Sequence, residues 1–361
     1  MAPQIFRSRR LFFVLLVPLC LLLWFLWTSW LSASDSSLKE SLSPSERPYP
    51  PPTRSLLQTS RPSGAAPTTA VPAPTTAAPA PATKECHTLP GAEDVLIVFK
   101  TGASEIYEKL PQHFITLFRC APNYLIFSDL EQDIGDYHVY DILNDVSDHI
   151  KQEQKEFQHY RELHKLSADG QDLAQLKGHK AWDLDKWKFI PMVRRAYRMR
   201  PNTKWFLFIE GDTAVIWGNL LQWLNRLDSD ELIYSGSQNV WGGVTFAHGG
   251  SGVLISSAAV KKLENSYTSH AQQWEQDTIE HCCGDSLLAK AFVDIGIEMT
   301  PSFPLIQGEA PATIDWNARH MCAPSVTWHH TSSMDIDTLW HLQQNWTNTH
   351  VCPHPSPASH W

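Results

Sequence analysis

The stretch Lys204–Trp217, KWFLFIEGDTAVIW, constrains the fold more than any other part of the chain. Trp205 to Ile209 are apolar without a break, and Glu210-Gly211-Asp212-Thr213 ends the run abruptly. A short, uninterrupted, aromatic-rich run bounded by turn residues has the pattern of a strand buried on both faces. Acidic groups at the carboxyl end of such a strand lie at the mouth of an α/β sheet, where ligands bind. Two carboxylates separated by a small residue suit a divalent cation held through hard oxygen ligands. They suit equally a plain polar turn, because Asp and Gly are the commonest turn residues.

The rest of the chain repeats that pattern. Val95 to Phe99 is an apolar run ending in Lys100-Thr101-Gly102, and Tyr124 to Phe127 ends in Ser128-Asp129. Ile142, Val146, Ile150, Phe157 and Tyr160 recur at helical spacing, which predicts one amphipathic helix from Asp141 to Leu166. Further helices are expected over Trp187–Met199, from Asn219 to Leu227, after the strand Val253–Ile255, and from Gly284-Asp285 to Gly296. Leu232 to Tyr234 reads as another strand. Strands alternating with helices imply an α/β domain with a mostly parallel sheet covered on both faces.

Upstream, Arg7, Arg9 and Arg10 precede an uncharged apolar segment over residues 11–31, with Trp24, Trp27 and Trp30 near its far end. A segment of about 20 apolar residues can cross a bilayer, and flanking arginines keep their side cytoplasmic. This predicts a cytoplasmic tail (1–10), a signal-anchor helix (11–31), a stem (32–85) and a lumenal domain (86–361). A cleaved signal peptide ending near Ser32-Ala33-Ser34 is the competing reading. The stem is Pro, Ser, Thr and Ala with too few apolar side chains for a core, so it is extended and open to O-glycosylation.

The formal net charge of −9 includes no basic run, which argues against a nucleic-acid partner. Of seven cysteines, all but Cys20 follow the anchor, so disulfides are expected. No CxxC or structural-zinc His spacing is present. Cys86–Cys120 and Cys322–Cys352 are candidate pairs. Adjacent Cys282 and Cys283 are expected to reach elsewhere and not to pair with each other. Asn345-Trp346-Thr347 is a glycosylation sequon, expected on a solvent-facing loop.

Polar groups therefore collect at several strand and helix ends. Lys100, Thr101, Ser128, Asp129, Glu210 and Asp212 converge on one crevice, and a lysine and hydroxyls beside a metal-binding acid suit a diphosphate. Phe246-Ala247-His248-Gly249-Gly250-Ser251-Gly252 brings glycines that let a ligand approach the backbone. His-Gly-Gly also occurs in the oxyanion segment of esterases, but the chain has no GxSxG elbow, so that reading fails. Asp285 at a helix start is either a first-turn capping acid or a general base. His329 and His330 are either surface residues or metal ligands.

Taken in order, VFKTG (98–102), YLIFSDLEQDIG (124–135), WFLFIEGDT (205–213), FAHGGSGVLIS (246–256), CCGDSLLAKAF (282–292) and TWHHTSSMDI (327–336) resemble the Fringe-like glycosyltransferases of family 31, particularly fungal members. The resemblance implies a GT-A-type glycosyltransferase domain, a Rossmann-like mixed and mostly parallel sheet flanked by helices. It implies an inverting β-1,3-glycosyltransferase using a UDP-sugar donor, with galactose first and N-acetylglucosamine second. Mn2+ is the implied cofactor, a glycan or glycoprotein the implied acceptor, and a single-pass type II Golgi membrane protein the implied setting. Residue by residue, Asp212 and His329 (with His330 as rival) match the metal ligands. Lys100, Thr101, Ser128, Asp129 and Glu210 match donor contacts, Gly249 and Gly250 the glycine turn beside the donor sugar, and Asp285 the catalytic base. Gly211 departs from the run of three acids in many relatives, which leaves an inactive glycan-binding or scaffolding protein as the alternative.

Overall fold

An eight-stranded sheet lies at the centre of the computed structural model, which describes residues 86–349, with side chains to 346. The expected tail, anchor and stem, and the carboxyl-terminal end with Cys352, lie outside the described residues. Among the described residues no helix is long and apolar enough to cross a membrane.

The strands are β1 (Val95–Lys100), β2 (Tyr124–Ser128), β3 (Gln132–Ile134), β4 (Tyr137–Asp141), β5 (Trp205–Glu210), β6 (Ala214–Val215), β7 (Tyr234–Gly236), β8 (Gln238–Trp241), β9 (Val244–Ala247), β10 (Val253–Ser256), β11 (Thr300–Pro301) and β12 (Thr327–Trp328). The large sheet runs β11-β7-β10-β5-β1-β2-β4-β3. β1 pairs in parallel with β2 and β5, β2 with β4 and β11 with β7, whereas β10 and β3 run antiparallel to their neighbours. The domain is mixed α/β with a mostly parallel sheet, as the alternation implies.

The unbroken apolar runs have a direct cause. Leu96, Val98, Phe206 and Phe208 enter one core, while Val95, Ile97, Phe99, Trp205, Leu207 and Ile209 enter another on the opposite face. With both faces buried, side-chain alternation leaves no polar position until Lys100 and Glu210. On the first face lie α1 (Phe189–Met199), α2 (Ser257–Glu280) and α3 (Gly284–Asp294), each contributing buried residues to that core. α1 buries Phe189, Ile190, Met192, Val193 and Ala196, while Arg194 and Arg195 turn outward to Glu264 and Asp145. Ser256 caps α2, its hydroxyl accepting the Ala259 N–H at 3.2 Å. Gly296, at φ 75°, ends the α3 region, where an L side chain would be strained.

Four expectations need correction. The segment from Asp141 to Leu166 is not one helix: Asp141 ends β4, and its carboxylate takes the Leu143 N–H at 2.9 Å. Separate helices follow at Asp148–Glu153 and Phe157–Ala168. Ile142, Val146, Ile150 and Phe157 all face the core, so the helical spacing is carried by successive turns, and Asp141 competes with the helix for its backbone donors. Cys282 and Cys283 do pair with each other, their Cα atoms 3.8 Å apart just before α3. The ring is possible because consecutive residues already hold their sulfurs within reach. The sequon falls on the helix Ser333–Thr349 and not on a loop, with Asn345 exposed. Cys86–Cys120 forms as expected and closes a 34-residue separation. The strand expected at Leu232 begins at Tyr234, leaving Leu232 44% exposed.

Candidate active site

Three turns meet beyond the carboxyl end of β5. The first is Glu210–Thr213: the Thr213 hydroxyl accepts the Glu210 N–H at 2.9 Å and donates to the Gly250 carbonyl at 2.7 Å. That single side chain joins the acidic turn to the second turn, Gly249–Ser251, which leads into β10. The third arrives through β12, paired antiparallel with β6 in the register Thr327↔Val215 and Trp328↔Ala214. Continuing that register carries His329 and His330 to Asp212. Thr331 fixes the junction, its N–H and hydroxyl both donating to the Asp212 carbonyl at 3.1 and 2.7 Å.

Asp212 Oδ1 lies 3.7 Å from His329 Nε2, and ligand atoms of Asp212, His329 and His330 all lie within 4.8 Å of one another. His329 is 6% exposed; burial, against the pull of Asp212, pushes its imidazole down to about 4. It is neutral at neutral pH. A neutral imidazole beside a carboxylate is a donor set that fits a divalent cation. His330, exposed and stacked on His329 at 3.7 Å between ring centroids, has φ 54°. A left-handed histidine costs on the order of 1 kcal/mol, which the Thr331 anchor helps to hold. Gly250 is required for a different reason: a Cβ there would stand 2.1 Å from His329 Nε2.

Asp285 lies across the glycine turn. Its Oδ2 accepts the Gly249 N–H at 3.0 Å and its Oδ1 the Ser286 N–H at 2.8 Å, so each oxygen keeps a lone pair. Gly284 brings it close, because any side chain there would meet the Phe189 ring at 2.1 Å. His248 faces the same space, 4.9 Å from the His329 ring and with Nδ1 2.9 Å from Ser251 Oγ; burial lowers its pKa. The structure thus gathers Asp212, His329, His330, Gly249, Gly250 and Asp285 where these turns meet. The arrangement can hold a cation at one end and accept a proton at the other.

Lys100, Thr101, Ser128 and Asp129 are placed differently. Lys100 pairs with Asp185 and with Glu210 (3.1 Å) above the Phe189 ring. Asp129 accepts the Ala103 N–H at 2.7 Å and pairs with Lys188 at 2.9 Å. Lys188 reaches Asp185 at 3.2 Å and the Thr101 carbonyl at 3.0 Å. Ser128 only closes a turn with Leu130. Asp129, Lys188, Asp185, Lys100 and Glu210 therefore form a chain of alternating charge below the strand ends, and two of its members, Lys100 and Asp129, are 5% and 1% exposed. Burial opposes the charge on Lys100, but Asp185 and Glu210 outweigh it and hold the amine above its ordinary range. Burial pushes Glu210 up to about 7 although Lys100 opposes it. Sequence reasoning missed Asp185 and Lys188; the signal was charge clustered with an aromatic in Asp185-Lys186-Trp187-Lys188, just before α1.

Gly211 is explained by contact. A Cβ at that position would meet Lys109 Cβ at 2.6 Å, while the Gly211 carbonyl lies 3.1 Å from His113 Nε2. The middle of the acidic turn is thus occupied by a lysine stem, whose amine lies 3.9 Å from Asp212 Oδ2.

No family model matches the chain, and no curated protein matches it. Among solved structures, it is similar to a glycosyltransferase involved in the glycosylation of the major capsid of PBCV-1, at 14% identity over 69% of this chain and 98% of that one, with a TM-score of 0.33.

Proposed function

We propose that the chain is an inverting, UDP-sugar-dependent β-1,3-glycosyltransferase, with galactose as first choice of sugar. One observation carries the reading: the Asp212–His329–His330 donor set and the Asp285 carboxylate flank the same glycine turn. The ordered motifs that resemble family 31 support it. In this reading Asp285 takes the proton of an acceptor hydroxyl as its oxygen attacks the anomeric carbon. The bond from that carbon to the diphosphate breaks on the opposite side, and UDP leaves with the electron pair. Asp212 and His329, with His330 beside them, would hold a Mn2+ ion, which neutralises charge on the leaving diphosphate. Gly249 and Gly250 make the turn between the two groups compact, the missing side chain of Gly250 leaving room for His329 and that of Gly249 for Glu210 and Phe189. The buried charge chain keeps Glu210 and the β5 end in place beneath the crevice. The proposed setting is the Golgi lumen, with residues 11–31 as a type II anchor and a glycan or glycoprotein as acceptor.

Asp285→Asn tests the assignment. An asparagine oxygen can still accept the Gly249 N–H, at the loss of the Ser286 contact, so the glycine turn keeps its anchor while the base is lost. Transfer from UDP-sugars should fall by about 10²- to 10⁴-fold, with UDP binding unchanged by calorimetry. Near-normal turnover of Asp285→Asn would remove Asp285 from the base role. UDP binding by the unmodified chain without transfer or hydrolysis of any UDP-sugar would favour the inactive binding protein.

A further inference from the structure

Lys109 ends the short helix Ile106–Lys109, and its side chain is 30% exposed at the crevice. Its stem lies against Gly211 so closely that a Cβ at 211 would meet Lys109 Cβ at 2.6 Å. The stem is therefore fixed, and the amine it carries is aimed along the acidic turn. Asp212 divides its two oxygens between different partners: Oδ1 is 3.7 Å from His329 Nε2, and Oδ2 is 3.9 Å from Lys109 Nζ. At 3.9 Å the amine is at the outer limit of an ion pair, leaving its donors open to a second anion.

Charge matching gives that anion its chemistry. Lys100 and Lys188 are buried and already matched by Asp185, Glu210 and Asp129. A nucleoside diphosphate sugar carries about two negative charges, and the departing diphosphate about three, beside the carboxylate of Asp212. One divalent cation leaves that group net negative, and beside side chains that are 27–30% exposed an unmatched charge is costly. Among the described lysines beside the acidic turn, Lys100 and Lys188 are enclosed, whereas the Lys109 side chain is 30% exposed. A lysine amine is a compact point charge well suited to phosphate oxygens.

We propose that Lys109 binds the diphosphate of the nucleotide directly, supplying affinity that does not depend on the metal; this rests on the transferase reading above. Gly211 has a role in it, since the glycine is what lets the lysine stem lie across the turn.

The test is calorimetric titration of the purified full-length chain with UDP and with uridine, each in manganese and in EDTA. Lys109→Met keeps the stem packed on Gly211 and removes only the charge. It should weaken UDP about 10- to 100-fold in both conditions, leave uridine unchanged, and be largely restored by Lys109→Arg. A thermal melt accompanies each variant; should Lys109→Met lose its cooperative transition, Lys109→Gln is measured with the same ligands. Equal UDP affinity in the unmodified chain and in the folded neutral variant overturns the role of Lys109 and leaves the transferase reading standing. Failure of the unmodified chain to bind UDP in either condition overturns both.

Discussion

Replacing Gly250 by alanine is the sharpest probe of the histidine-containing site. Gly250 does not have a positive φ, so alanine meets no backbone penalty and any effect comes from the side chain it adds. Its Cβ would stand 2.1 Å from His329 Nε2, where ordinary contact begins at 3.4 Å. The ring must therefore retreat by at least 3.4 − 2.1 = 1.3 Å, or the turn must move by as much. Metal ligands tolerate displacements of roughly 0.2 Å, so a retreat of this size removes His329 from any shared coordination with Asp212. Overpacking of this kind costs about 1–3 kcal/mol of stability, and a misplacement near 1 Å about 10²-fold in rate. Manganese affinity by paramagnetic resonance, UDP-sugar turnover and a thermal melt are measured together. Gly218→Ala is the control, because nothing lies within 4 Å of its added methyl. Unaltered manganese affinity in Gly250→Ala would refute the ligand role of His329.

The buried charge chain and the histidine beneath the acidic turn give further expectations. Asp185→Asn takes a shared partner from both Lys100 and Lys188, and because Asp185 is a quarter exposed we take the low end of buried-pair losses, about 3 kcal/mol in denaturant unfolding; a loss below about 1 kcal/mol would contradict that reading. His113 is 1% exposed, and burial pushes it down to about 4 from 6.5, so between those values the unfolded chain holds more protons and stability falls as the pH falls. The full effect is about 3 kcal/mol, read as a flatter pH dependence of melting in His113→Gln than in the unmodified chain. Glu210, raised to about 7, acts in the opposite direction between about 4.5 and 7, which is why the comparison is between the two chains and not across one profile.

What was legible in the sequence was local in the chain. β1 and β5 announced themselves because burial on both faces removes polar residues from a run, and the turns after them were visible as polar breaks. The glycine turn was visible as a glycine run before a strand, and Asp285 as an acid at a helix start. Residue patterns did not show how these groups meet; only the family resemblance paired Asp212 with His329. His329 reaches Asp212 through β6 and β12, two residues each, too short to show any periodicity. The ribbon of β8 and β9, joined by Gly242-Gly243 at positive φ, was also missed, since its β8 residues are all exposed and follow no apolar pattern. Lys100 and Asp129 were identified as polar strand ends, but their partners Asp185 and Lys188 lie more than fifty residues away in the chain and belong to no motif. The sequence also could not show why position 211 is glycine, because the reason is the stem of Lys109.

The alternating chain from Asp129 to Glu210 constrains how this protein could change over evolutionary time. Each interior member neutralises two neighbours, so replacing one leaves charges unmatched on both sides, whereas replacing a complementary pair preserves the balance. The accessible routes through sequence space are therefore paired steps: an acid and a base lost together, or exchanged together. Five residues scattered across about 110 positions should behave as one inherited character, kept as a block or dismantled as a block, while the exposed strand β8 is free to drift residue by residue.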